Sequence, residues 1–142
     1  MTRIFLDASV IFSGCYSTRG HSHDLLLMAV RGEYDMVSSE LVVEEARRNL
    51  ARTSEEYVLF LNFVLGNIAI EYVRPTKRQV VTAASHVALK DAPILAAAKR
   101  ANVELLVTLD KKHLLGKPEL AEYAGLEIMT PMAAVEYIKV DK

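Results

Sequence analysis

Three aspartates in this chain stand where a strand has just ended or a helix is about to open. Asp7 follows Arg3-Ile4-Phe5-Leu6, Asp91 precedes Ala92-Pro93-Ile94-Leu95-Ala96-Ala97-Ala98, and Asp110 lies just past the run Glu104 to Thr108. Carboxylates held close together suit one kind of chemistry: they bind hard divalent cations, which take oxygen ligands from a few carboxylates, from water and from substrate phosphates. Helical geometry supplies a fourth candidate. Over Glu40 to Arg52, a repeat of ~3.6 residues per turn aligns Val42, Ala46 and Leu50 on one stripe with Val43 beside it. Glu45 flanks that stripe next to Asn49, whereas Glu44 lies almost opposite, toward solvent. Each acid also has a plain structural explanation. Asp is a favoured helix N-cap, worth ~1 kcal/mol against Ala, and Glu45 could pair with Arg48 or Asn49 along its helix for a few tenths of a kcal/mol.

The elements that must position these groups alternate between short β-rich runs and helical stretches. Strands are expected at Arg3 to Leu6, Tyr34 to Ser38, Ile68 to Val73, Glu104 to Thr108 and Leu126 to Met129. Between them, Ala8 to Gly14 opens a helix, Ser22 caps His23 to Arg31, and Ser39 caps Glu40 to Arg52. Thr53 and Glu56 have capping-box spacing ahead of Tyr57 to Leu65. Pro75-Thr76 launches a helix toward Leu89, Asp91 heads Ala92 to Ala101, Asp110 to Leu115 reads as a short helix, and Thr130-Pro131 starts a closing one. Such alternation predicts an α/β fold: three layers, α/β/α, around a central, mostly parallel sheet. Sites in open parallel sheets form just beyond the carboxyl ends of the strands. That rule reduces the chain's 18 acidic residues to the short set above.

Composition narrows the function classes. At 142 residues, 51% hydrophobic and 25% charged, the chain reads as one globular domain over residues 1–142, able to bury roughly two-thirds of its unfolded surface. A single cysteine, Cys15, excludes a disulfide scaffold and a four-thiolate zinc site, and it reads as a small core residue. No apolar run approaches the ~18 residues of a spanning helix, so a cytoplasmic location with no membrane contact is expected. The net charge of −1 excludes a broadly basic nucleic-acid coat, so phosphate contacts fall to local groups such as Arg47, Arg48, Arg52, Lys77, Arg78, Lys99 and Arg100. His21 and His23 have no third metal ligand nearby in sequence, and His113 is close enough to Asp110 to be weighed as a general base. The segment Tyr57 to Leu65 is apolar over an arc wider than one buried face needs, which points to a homodimer surface or a groove for a partner's helix.

With these residues in hand, the sequence resembles the PIN domain family, over Ile4 to about Ile138. The likeness rests on four strings in the family's order: Phe5-Leu6-Asp7-Ala8-Ser9; Val43-Glu44-Glu45-Ala46-Arg47-Arg48-Asn49-Leu50; Asp91-Ala92-Pro93-Ile94-Leu95-Ala96-Ala97-Ala98; and Leu105-Leu106-Val107-Thr108-Leu109-Asp110. The resemblance implies a Mg2+- or Mn2+-dependent endoribonuclease, with Asp7, Glu45, Asp91 and Asp110 as catalytic metal ligands and Ser9 and Thr108 in support. By analogy with small relatives it also implies the toxin of a toxin–antitoxin pair, with RNA as substrate, an antitoxin as partner and a homodimer as assembly. One departure stands out: where many relatives carry a further Asp two residues after the fourth acid, this chain has Lys112. Two alternatives remain: a PIN-fold interaction module that has lost activity, and an aspartate-based phosphohydrolase using Asp7. The second lacks the additional acids that such enzymes place near the first strand.

Overall fold

The computed structural model describes residues 1–141, Asp141 by its backbone alone. Five strands form one sheet: β1 (Arg3–Leu6), β2 (Asp35–Ser38), β3 (Glu71–Tyr72), β4 (Leu105–Val107) and β5 (Glu127–Met129). Their spatial order is β3-β2-β1-β4-β5, and every pairing is parallel. The inner strands read as unbroken apolar runs because both of their faces are covered; Ile4, Phe5, Leu6, Leu105, Leu106 and Val107 are fully buried.

The helices are α1 (Ala8–Tyr16), α2 (His21–Val30), α3 (Glu40–Ala51), α4 (Glu55–Gly66), α5 (Lys77–Ala83), α6 (Ala92–Arg100), α7 (Pro118–Ala124) and α8 (Pro131–Asp141). Parallel crossovers are right-handed. The chain steps β1 to β2 to β3 in one direction and then β3 to β4 to β5 in the other, so the two sets of crossover helices must cover opposite faces. The packing follows: α1 lies against α2, α3 and α4, while α5, α6 and α7 form a separate group. Helix α8 returns to pack on α2. The three-layer α/β/α expectation is met, with a sheet that is wholly parallel.

Departures from the expected elements have local causes. Helix α2 starts at His21, because Gly20 turns the chain at φ 101°; Ser22 is buried in its first turn and does not cap it. The cap of α4 is Ser54, which accepts from the Glu56 amide, since the Thr53 hydroxyl donates instead to the Asn49 carbonyl and finishes α3. The third strand is only Glu71–Tyr72, an exposed edge. Helix α5 ends at Ala83, and a 3-10 turn, Leu89–Asp91, leads into α6. Asp110 to Leu115 forms turns and no helix: the Asp110 carboxylate accepts from the Lys112 and His113 amides in the manner of an N-cap, but the Leu114 and Leu115 amides both end on the Asp110 carbonyl, which closes the turn instead of propagating it. Helix α7, which the sequence reading missed, has Pro118 in its first turn and Gly125 as a left-handed stop.

Candidate active site

The strand order reverses at β1, so the carboxyl ends of β1 and β4 flank a crevice that no crossover covers, the favoured place for a site in an open parallel sheet. Register then decides what meets there. Leu6 pairs with Val107, so Asp7 and Thr108 leave the sheet side by side, and the Asp7 amide donates to the Val107 carbonyl at 3.1 Å. The Thr108 hydroxyl donates to Asp7 Oδ2 at 2.7 Å, the Ser9 hydroxyl to the same oxygen at 3.3 Å, and the Ala8 amide to Oδ1 at 2.7 Å. Asp7 is 6% exposed. Burial pushes its carboxyl above the ordinary carboxylate range, the charge of Glu45 adds to that, and the three hydrogen bonds only partly offset it. Both hydroxyls also accept: Ser9 Oγ from the Leu109 amide at 3.2 Å and Thr108 Oγ1 from the Asp110 amide at 3.1 Å. The ends of β1 and β4 are thereby tied through two small side chains.

Asp110 has one oxygen committed and one turned inward. Its Oδ1 accepts from the Lys112 and His113 amides at 3.0 and 2.9 Å, while its Oδ2 lies 3.4 Å from His113 Nδ1. Burial acts to raise this carboxyl, but the His113 amide and ring together with the Lys112 amide outweigh it and hold it below the usual range. Asp91 behaves differently. It occupies the N-cap position of α6 yet makes no side-chain cap; it is 5% exposed, and its Oδ2 is buried without a hydrogen-bond donor. The nitrogens closest to that oxygen are His113 Nδ1 at 3.7 Å and Lys90 Nζ at 3.8 Å. Such an orphaned acceptor costs about 1–3 kcal/mol. A cation of suitable size would satisfy it, and one donor atom each from Asp91, Asp110 and His113 falls within 4.8 Å of the others. The donor set therefore fits a divalent ion.

All four acids singled out from the sequence line one open cavity of about 670 Å³, together with Ser9, Asn49, Lys90 and Ile94. The acids are not equally close. Asp91 and Asp110 share the tight group with His113, whereas Asp7 and Glu45 line the same cavity outside that group. Glu45 is exposed on α3, one turn from Asn49, and Glu44 faces outward, 3.7 Å from Arg47. Lys90 and the role of His113 as a third donor escaped the sequence reading. Adjacency to Asp91 could have flagged Lys90, and the three-residue spacing from Asp110 could have flagged His113 as a donor. Elsewhere, Cys15 is buried, and burial pushes its thiol up to about 12, as suits a core residue. His23 stacks on Phe60 and its Nδ1 bonds the Gly14 carbonyl. Arg47 is bonded to Asn62 and Lys99 to the Tyr123 carbonyl, which leaves Lys90 as the one cation among the described residues lining the cavity.

A family model described as "PIN domain" matches residues 4–115. No curated protein matches the chain. Among solved structures, PAE2754 from Pyrobaculum aerophilum is 17% identical with a TM-score of 0.66, over 98% of this chain and 96% of that one. FitAcB from Neisseria gonorrhoeae is 19% identical with a TM-score of 0.57, over 91% of this chain and 98% of that one. At these identities the two structures speak for the fold alone.

Proposed function

The chain belongs to the PIN domain family, and on that premise we propose that it is a metal-dependent endoribonuclease that hydrolyses RNA phosphodiester bonds at the cavity between β1 and β4. The observation that carries this reading is the buried Asp91 Oδ2, which lacks a donor, in a residue grouped tightly with Asp110 at the lining of a cavity open to solvent. Asp7, Glu45, Asp91 and Asp110 would hold a Mg2+ or Mn2+ ion, directly or through its waters. Such an ion supplies Lewis acidity toward a phosphate oxygen and orients a water for in-line attack.

The chain's own side chains supply the framework. Thr108 and Ser9 fix the Asp7 carboxylate in one orientation and lock the Leu109 and Asp110 backbone to it, so this part of the site is held in place before substrate arrives. Lys90, with its side chain 67% exposed beside Asp91, can meet a flanking phosphate as a point charge. The backbone of RNA, not its bases, is what such contacts position.

Cleavage of a single-stranded RNA with Mg2+ or Mn2+, run beside Asp7→Asn and Asp91→Asn, tests the reading. Activity in the wild type that both variants lose supports it. Activity that persists equally in both would mean that the nuclease is a contaminant or that the site lies elsewhere.

A second reading follows from α4, where Leu59 is 61% and Phe63 52% exposed. That apolar face suits a partner chain, either an antitoxin or a second copy, and the toxin half of a toxin–antitoxin pair would use it beside the nuclease site. In a chain without activity, the same face would make it an interaction module. Loss of cleavage in every metal, with a stable complex retained, would select that reading.

A further inference from the structure

The geometry points to His113 as a direct ligand of the metal, making this a mixed nitrogen and oxygen site that prefers Mn2+ to Mg2+. The inference rests on the metal-dependent reading above and deepens it. Lys112, two residues after Asp110, is exposed. The side chain that reaches the carboxylates comes from the next position. His113 Nδ1 stands 3.4 Å from Asp110 Oδ2 and 3.7 Å from Asp91 Oδ2.

Two observations favour a ligand over an ion-pair partner. First, a charge-assisted N–H···O bond closes to about 2.7–2.9 Å, and the imidazole stops well short of that against both carboxylates. It leaves Asp91 Oδ2, which is buried and without a donor, still unsatisfied. Second, donors bound at about 2.0–2.2 Å from one ion lie roughly 3.0–3.4 Å apart, close to the spacing found here. The ring therefore sits close to a ligand's distance from both acids, and one donor atom of each of the three residues lies within 4.8 Å of the others. Imidazole binds first-row divalent ions, Mn2+ the weakest of them, better than it binds Mg2+, which demands oxygen and sheds water reluctantly. A histidine beside the two carboxylates thus shifts selectivity without adding a negative charge to the group.

The test uses the full chain loaded with Mn2+ alone. Pulsed electron paramagnetic resonance of bound Mn2+ is expected to show nitrogen coupling from a directly bound imidazole, absent in His113→Ala. In calorimetric titrations His113→Ala should lower Mn2+ affinity on the order of tenfold and Mg2+ affinity far less. His113→Asp, which restores an oxygen donor, should narrow the preference for Mn2+ over Mg2+. Mn2+ that binds, and is lost in Asp91→Asn, but shows no nitrogen coupling would overturn the role of His113 and leave the metal-dependent reading standing. A wild-type chain that binds neither ion would overturn both. The wild-type spectrum needs no substitution, so a misfolded variant does not remove the test.

Discussion

Thr108→Val tests the framework of the site without touching a carboxylate. The substitution keeps shape and removes one hydroxyl from a position with no exposure. Two bonds go with it: the 2.7 Å donation to Asp7 Oδ2 and the 3.1 Å acceptance from the Asp110 amide. A bond to a charged group is worth about 1.5–3 kcal/mol, and a neutral one about 1 kcal/mol. Asp110 is only half-buried, so water can partly rescue its amide, and the added methyl recovers a further fraction. The net loss expected is about 2–3 kcal/mol at neutral pH, or roughly 8–12 °C in Tm for a chain near this size. The pH dependence makes the argument specific. The hydroxyl lowers a folded-state pKa that burial has raised, so its contribution is present while Asp7 is ionised and fades as pH falls through that pKa. Urea unfolding of wild type, Thr108→Val and Thr108→Ser at neutral and acidic pH measures this. Thr108→Ser keeps the hydroxyl and should lose only the methyl packing, about 1 kcal/mol. A Thr108→Val penalty equal at both pH values, or absent at neutral pH, would refute the role given to the Thr108–Asp7 bond.

Three further expectations follow. Asp91→Ala removes an orphaned buried acceptor and no helix cap, so in EDTA it should be as stable as the wild type, or more stable by about 1 kcal/mol. Divalent ion at about a hundred times its Kd should then stabilise the wild type alone, by about 2.7 kcal/mol; a variant clearly less stable in EDTA, or an ion that moves neither Tm, contradicts this. Asp7 has a raised folded-state pKa, so its contribution to stability is full below the unfolded value and is lost as pH rises through the folded one. Asp7→Asn should flatten that part of the apo stability profile, and an unchanged profile in urea titrations would exclude the assignment. Gly14→Ala would bring a Cβ within 2.6 Å of Leu26 Cδ1 and 2.8 Å of the Ser22 carbonyl, so it should cost about 1–3 kcal/mol by overpacking α1 against α2, read from the urea midpoint.

What could be read from the sequence divides along a physical line. The inner strands were legible because burial on both faces writes an unbroken apolar run, as in Ile4 to Leu6 and Leu105 to Val107. The edge strand was over-extended, since Ile68 to Val73 alternates well but has a neighbour on one side only. Caps were misread where several small polar residues compete: Ser54 prevailed over Thr53, and Gly20 over Ser22. The four acids could be chosen because their positions follow from two strand ends, one helix start and one helical stripe, and all four line one cavity. Their unequal spacing could not be read, because it depends on side-chain direction after each turn. His113 entered the tight group because Asp110 captured two amides, which holds the turn that brings the His113 ring back to the same carboxylate.

That capture bears on the older alternative for each aspartate, helix cap or ligand. The two roles are not exclusive, because a carboxylate has two oxygens. In Asp110, Oδ1 takes both amides while Oδ2 faces the His113 ring at 3.4 Å. In Asp7, both oxygens are held by the protein, and burial still leaves the group reluctant to ionise. In Asp91, neither cap nor donor reaches Oδ2. Backbone bonding thus fixes the direction of the first and last acids of the site, and the middle one carries the unmet demand. A cation entering the cavity would find its strongest attraction at the Asp91–Asp110–His113 group, with Asp7 held in the same lining and Glu45, exposed on α3, free to adjust. Substitutions should then rank by that order: Asp91→Asn most harmful to ion affinity, Asp110→Asn next, Glu45→Gln least. Calorimetric titration of the three variants with Mn2+ checks the order, and Glu45→Gln as the most damaging of them would reverse the geometry argued here.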